Sequence, residues 1–300
     1  MRRRIAVPLL LALGAAVPAG CSSPTPTDAS GRIRVVAAEN FWGDIARQIG
    51  GSRVQVTSLL SDPSADPHLY ESNARDAAAV ASARIVVVNG VGYDDFMHDL
   101  LASTTGRRTV ITVADLAPKL PSDANPHIWY DVERVRAAAV AIEQALARAD
   151  PSHAKEFVRN DTMLDLQLQL VSAVLATIGR EFPHAPVAYT ERVPGDMLRS
   201  AGLDVVSPPG FARSIEDGNE PSAADTQRMK ELIAHHEIRV LLYNSQATSA
   251  VTRAAQRDAR AAGIPVVPVS ELMPPSAASY QAWQLAQLRA LLQALERGGR

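Results

Sequence analysis

Short runs of β-branched and aliphatic residues alternate along the chain with longer stretches in which apolar positions recur every three or four residues. Runs 33–38, 54–60, 85–89 and 110–113 are short and rich in β-branched residues, as expected of strands. Between them, 41–49, 73–81 and 93–103 carry the helical period. Two long helical stretches follow, 131–149 and 151–180, the second opened by Pro151, a residue suited to a helix start. The alternation then resumes, with strands expected at 186–189, 205–206, 238–243 and 264–269 and helices at 222–235, 248–262 and 280–294.

Strand–helix alternation implies parallel sheets with helices packed on both faces. Its occurrence on either side of one uninterrupted helical stretch predicts an α/β protein of two lobes, each with a parallel sheet flanked by helices, joined by one long rigid helix. At about 1.5 Å per residue, a helix of about 30 residues runs about 45 Å, enough to brace both lobes and restrict hinge motion. The boundaries read as an N-terminal lobe at 33–149, a linking helix at 150–181 and a C-terminal lobe at 182–300.

The first 20 residues have a different pattern. Arg2, Arg3 and Arg4 precede an apolar run from Ile5 to Val17, and small residues lead to Cys21. This is the layout of an export signal, and its apolar run is too short to span a bilayer. Cys21 is the single cysteine, placed as in bacterial lipoprotein signals, where it becomes the lipidated first residue. Pro18 stands three residues before it, where that pattern has an aliphatic residue; a plain secretory cut leaving a free cysteine is the alternative. Residues 21–32, rich in Ser, Thr and Pro, read as a flexible tether. No later stretch reads as long and uncharged enough to cross a membrane.

Composition narrows the function. The 300 residues carry 30 Lys+Arg against 32 Asp+Glu, a net charge of −2 that becomes about −5 once the three arginines of the signal are removed. Such a chain has no field for a phosphate backbone, and 5% aromatics leave few stacking platforms, so nucleic acid is excluded as a partner. One cysteine excludes an internal disulfide framework and a multi-thiolate zinc site. No GxSxG elbow or phosphate-cradling loop occurs, and Gly90-Val91-Gly92 lacks the third glycine of a dinucleotide fingerprint.

Ligands in open α/β sheets gather beyond the carboxyl ends of the strands. Four metal-competent side chains fall there. His68 follows the second strand in Asp66-Pro67-His68-Leu69-Tyr70-Glu71. His127 lies beyond the fourth in Asn125-Pro126-His127-Ile128-Trp129. Glu191 follows Tyr189-Thr190, and Glu271 follows Val269-Ser270. Two imidazoles and two carboxylates suit a borderline divalent ion such as zinc, manganese or iron. A proline before each histidine stiffens its loop, and Asp66, Glu71 and Asp131 stand close enough in sequence to bond the second imidazole nitrogens. Taken singly, each is more simply an exposed loop histidine or a helix N-terminal acid. His98, His153, His184, His235 and His236 read as helix or surface residues.

At these positions the chain resembles the cluster A-I solute-binding lipoproteins of metal-ion ABC transporters, the zinc- and manganese-binding receptors. The resemblance runs from Val35 to Ala294 and is carried by Ile49-Gly50-Gly51, by Asp66-Pro67-His68-Leu69-Tyr70-Glu71, by Asn89-Gly90 with Gly92-Tyr93-Asp94, and by Asn125-Pro126-His127-Ile128-Trp129. It implies that His68, His127, Glu191 and Glu271 ligate the metal, with Glu271 where relatives usually carry an aspartate. It further implies lipidation at Cys21, an ABC permease with its ATPase as partners, a monomer, and an extracytoplasmic place on the bacterial cell membrane.

The transported ligand would be Zn2+ or Mn2+, with Fe2+ as a further candidate. No histidine-rich loop of the zinc receptors is present between Leu116 and Asn125, and two carboxylates form a harder set than three imidazoles. Against that, the Irving–Williams order favours zinc wherever it is available. Other readings of the same cluster are a zinc-dependent hydrolase, in which three residues bind metal and a glutamate serves as base, and a metal-binding surface adhesin.

Overall fold

The computed structural model describes residues 31–62 and 70–298. The expected export signal, Cys21 and its tether up to residue 30, together with Asp66 and His68, lie outside the described residues. Within them, the first half builds β1 (Ile33–Glu39), α1 (Asn40–Gly50), β2 (Val54–Leu60), α2 (Ala74–Ser82), β3 (Ile85–Val88), α3 (Phe96–Ser103) and β4 (Thr109–Thr112). The strands form one parallel sheet in the order β2-β1-β3-β4. Two helices follow, α4 (Val132–Ala149) and α5 (Ala154–Glu181). A second parallel sheet has the order β6-β5-β7-β8, from β5 (Pro186–Tyr189), β6 (Asp204–Val205), β7 (Val240–Asn244) and β8 (Val266–Val269). Helices α6 (Gly195–Ser200), α7 (Pro209–Glu216), α8 (Ala223–Ala234), α9 (Ala250–Ala261) and α10 (Tyr280–Arg297) complete the chain.

Each sheet therefore has the same topology, and each reverses direction between its two middle strands. That reversal opens a crevice at the strand ends where the crossing connections diverge. In the first sheet it lies between β1 and β3, in the second between β5 and β7.

Helix α5 is the spine. Its buried residues Phe157, Leu164, Leu168, Val171, Leu175 and Ile178 fall on one face at intervals of three, four and seven. This face packs against α1, α4 and α10. One continuous apolar core consequently runs from Val35 and Ile85 of the first sheet, through Leu168, to Val240 and Val267 of the second. Contrary to the expectation of no later membrane-length stretch, 151–181 is apolar and long enough to cross a bilayer. Between Asp161 and Arg180 its only charged side chain is Asp165, yet the helix is the brace of a two-lobed protein, with one face in the core. Pro151–His153 form a separate 3-10 turn, so the spine starts at Ala154 rather than Pro151.

Two helices, α6 and α7, were not anticipated. Both are short and begin at Gly195 and Pro209-Gly210, residues that read as loop. The Asn89-Gly90 turn, by contrast, has a clear physical cause. Gly90 has φ +85°, and a Cβ there would sit 2.9 Å from both the Ala114 Cβ and the Thr112 Cγ2. Only glycine lets the turn after β3 lie against the segment after β4.

Candidate metal centre

His127 reaches the lobe interface at the end of the segment after β4, just before a 3-10 turn at Ile128–Tyr130. Its loop is clamped from the first crevice. The Asp94 carboxylate accepts the backbone N–H groups of Asn89 (2.6 Å) and Gly90 (2.8 Å), and the Asn89 amide donates to the Pro126 carbonyl at 2.8 Å. The Trp42 indole in turn donates to Asn89 Oδ1. The imidazole is fully buried, edge-on to Tyr93 and to Trp129.

The network assigns its tautomer. Asn125 Nδ2 donates to the Arg192 carbonyl, so Asn125 presents its oxygen to His127 Nδ1, 2.8 Å away. Nδ1 therefore carries the proton and Nε2 the lone pair, 3.7 Å from Glu271 Oε2. The partner that orients the ring is Asn125, not Asp131 as expected. Asp131 is the N-cap of α4, where its side chain accepts the N–H groups of Glu133 and Arg134, a local demand that outbids a more distant imidazole. Glu71 is exposed, and the histidine it was expected to orient lies outside the described residues.

The two glutamates arrive from the second lobe. Glu191 follows β5, beside Thr190, whose N–H is bonded to the Leu242 carbonyl and whose hydroxyl accepts the Asn244 N–H. Glu271 follows β8; its N–H and that of Leu272 both donate to Gln246 Oε1, at 2.6 and 2.8 Å. Both carboxylates are buried, at 1% and 0% exposure. The Tyr93 hydroxyl crosses from the first lobe to donate to Glu271 Oε2 at 2.9 Å, and Asn244 Nδ2 donates to both carboxylates. Burial, with the Glu271 charge next, pushes the Tyr93 phenol well above its ordinary value, so it stays a donor.

One ligand atom from each of His127, Glu191 and Glu271 lies within 4.8 Å of the others. A divalent ion can span such a set, and imidazole with two carboxylates is chemically suited to one. Further bonds hold the lobes in this register. Asn40, at the start of α1, exchanges two hydrogen bonds with the Met273 backbone, and Asp44 accepts the Tyr280 N–H at 2.8 Å. Tyr130 donates toward the Ser270 carbonyl and Gln287 Oε1. A polar cavity of about 270 Å³, walled by Tyr93 and Pro126 on one side and Arg192 and Arg213 on the other, adjoins the cluster between the lobes.

Of the four side chains singled out in the sequence, His127, Glu191 and Glu271 are brought together here, and the residues that hold them in place were not anticipated. Asn244 ends β7 at the second crevice, a place that the strand-end rule marks, but the search there was for histidines and acids. Tyr93 and Asn125 sit inside motifs singled out above, without a role having been given to them.

Glu39 was also missed. It closes β1 at the first crevice and is fully buried beside the Asp94 carboxyl. Burial, then the adjacent Asp94 carboxyl, raises its pKa well above the ordinary carboxylate value. Asp94 itself is pushed up to about 6 by burial, opposed by the N–H groups of Gly90 and Asn89. The pair is best written as a neutral Glu39 acid donating its proton toward an Asp94 carboxylate held by two backbone donors.

Two parallel-sheet lobes on a helical spine, with a buried imidazole–dicarboxylate cluster where their strand ends meet, define a metal-binding receptor of the ABC-importer kind. The chain belongs to the family of the zinc-uptake complex component A, periplasmic (ZnuA), which residues 35–294 match. It is 25% identical over 250 residues to the manganese-binding lipoprotein MntA of Bacillus subtilis, covering 79% of this chain and 80% of that protein. Its fold superimposes on the periplasmic zinc-binding protein TroA of Treponema pallidum with a TM-score of 0.76 at 21% identity, over 88% of this chain and 99% of that one. FpvC of Pseudomonas aeruginosa, solved in complex with Ni2+, gives 0.74 at 24% identity over 90% and 98%. The protein is an extracytoplasmic receptor that captures a divalent transition metal for an ABC importer. Its family is one of transport, not catalysis, which sets aside the hydrolase reading.

Proposed function

We propose that His127, Glu191 and Glu271, completed by His68 from the loop after β2, form the cargo site, and that the cargo is Zn2+ or Mn2+. The observation that carries this is the buried cluster itself, with one donor from the first lobe and two from the second. Isolated buried carboxylates are costly unless something compensates them, and a divalent cation does so directly. Four protein donors close the shell of the ion, as a receptor needs, where a hydrolase keeps a position open for water. Because the donors come from both lobes, binding draws the lobes together, and delivery to the permease and its ATPase requires the pairs to separate.

In the same reading, residues 1–20 are the export signal and Cys21 is the lipidated residue, followed by the tether to residue 32. Residues 33–149 and 182–300 are the two lobes, 150–181 the link between them, and the receptor works as a monomer. Two acyl signals give stable membrane attachment, whereas one chain holds only reversibly. The test is equilibrium dialysis of the mature protein, stripped by chelator, against zinc and manganese separately and in competition. One ion bound per chain supports the proposal. Binding of neither ion, or of several ions per chain with equal affinity, contradicts it.

A further inference from the structure

Asn125 stands two residues before His127, on the first lobe, and its amide makes contacts in both lobes. The side-chain oxygen lies 2.8 Å from His127 Nδ1 and also accepts the His127 N–H, at 3.3 Å, while Nδ2 donates to the Arg192 carbonyl at 2.9 Å. Arg192 directly follows Glu191, so that carbonyl is one residue from a carboxylate of the cluster. It is fixed within the second lobe. It accepts the Gly195 N–H at 2.9 Å, and the Arg192 guanidinium holds the largely buried Glu216 carboxylate through two bonds, at 2.7 and 2.5 Å. Gly195 is the seat of this bridge. A Cβ there would stand 2.9 Å from Asn125 Nδ2, the next nearest side-chain atom, Tyr189 Cε1, is 4.0 Å away, and the Gly195 backbone is not in the left-handed region. What the position excludes is a side chain in the path of the Asn125 amide, not a backbone shape.

A primary amide has an accepting end and a donating end, and a neutral imidazole places its one proton to suit whichever faces it. The Arg192 carbonyl only accepts, so while the lobes are together it holds the NH2 end and turns the oxygen to Nδ1. We propose that Asn125 couples the register of the lobes to the donor state of His127. With the lobes together, Nδ1 carries the proton and the Nε2 lone pair faces the cluster. With the lobes apart, the amide keeps only the longer bond to the His127 N–H, the ring loses its fixed tautomer, and Nε2 is protonated in part of the population. This inference rests on the cargo-site reading above. It adds that one bridge outside the cluster ties the two halves of the site together. The movement that withdraws Glu191 also weakens His127, so release needs a smaller separation of the lobes than pulling intact donors apart would. Asn125 is a positioning residue, and Gly195 keeps its path clear.

The test uses the mature chain, stripped by chelator, as wild type, Gly195→Ala and Asn125→Ala. Alanine at 195 pushes the amide off the Arg192 carbonyl without altering Asn125, His127 or either carboxylate, and it suits the first position of α6 better than glycine does. Asn125→Ala removes the bridge from the other side and keeps the test sound if Gly195→Ala fails to fold. Long-range 1H–15N NMR correlations give the tautomer of His127, assigned by its loss in His127→Gln. Competitive titration against a chromophoric chelator gives the affinities for zinc and manganese, and urea unfolding confirms that each variant is folded.

The expected result is a single Nδ1–H tautomer at His127 in the wild type, mixed tautomers in the folded variants, and metal affinity lower in them by about tenfold or more. A merely structural glycine predicts the opposite for Gly195→Ala, an unchanged tautomer and an unchanged affinity. That result, mixed tautomers in the wild type, or a loss of affinity with the tautomer unchanged, overturns the coupling and leaves the cargo site standing. Wild-type protein that binds neither ion overturns the cargo-site reading and the role of Asn125 in release with it.

Discussion

Replacing Glu39 by glutamine removes one ionisable group from the first crevice while keeping its shape and a donor toward Asp94. In the folded protein Glu39 keeps its proton to a higher pH than an ordinary carboxyl does, because burial and the Asp94 carboxylate both oppose its ionisation. In the unfolded chain it ionises around its ordinary value of 4.5. Below that value both states hold the proton, and the group has no effect on stability. Above it the folded state binds one proton more than the unfolded state, so stability falls as pH rises until the folded acid itself ionises. The slope is about 1.4 kcal/mol per pH unit for one proton. Glutamine has no such slope of its own. The stability advantage of Glu39→Gln over wild type should therefore grow as pH rises above about 5, by up to about 1.4 kcal/mol per unit, until the folded acid ionises. Urea unfolding of chelator-stripped protein at pH 5, 6 and 7 measures it, as a widening gap in midpoint at constant m-value. A gap that stays constant across this range would mean that Glu39 is ionised in the folded protein, which would refute the reasoning.

Other substitutions separate fold from site. Leu168→Ala, at the fully buried centre of the spine, should cost about 2–5 kcal/mol in the same unfolding assay, as large-to-small changes in packed cores do. Asn73→Ala should cost about 1 kcal/mol, since it removes the side-chain oxygen that accepts the Arg75 and Asp76 N–H groups at the start of α2, while the Asn73 N–H keeps its bond to the Asp76 carboxylate. Tyr93→Phe keeps the ring against Trp129 but deletes the bond to Glu271; metal affinity by titration calorimetry should drop about tenfold, with little change in metal-free stability. Metal at about a thousand times its dissociation constant should stabilise the folded protein by about 4 kcal/mol, reversed by chelator. Unchanged melting on loading would place the ion outside the folded cluster.

The two-lobed fold is legible in the sequence because the middle strands are apolar on both faces. Ile85–Val88, buried at every position, leaves no doubt about its period or its place. Strand and helix ends shift by one to three residues where side chains with local hydrogen-bonding roles decide them, as Asn73, Asp131 and Ser249 do by capping. Helix α7 was illegible because Pro209-Gly210 reads as a breaker, although proline in the first turn of a helix is favourable.

At the site, the meeting of His127, Glu191 and Glu271 was legible from residue type and strand-end position. Their supports were not. Asn244, Asn125 and Tyr93 act through directional hydrogen bonds made across 178 residues in one case, and no local pattern encodes such a pairing. Glu39 drew no notice in the sequence because nothing there distinguishes a buried strand-end glutamate from a solvated one.

The most direct test of the account is an anomalous difference map from crystals of the protein loaded with one equivalent of zinc, recorded at the zinc absorption edge. The account predicts one strong peak between the lobes, about 2.0–2.2 Å from His127 Nε2 and from one oxygen each of Glu191 and Glu271. A strongest peak elsewhere, with these three side chains bonded only to each other and to Tyr93 and Asn244, would contradict it.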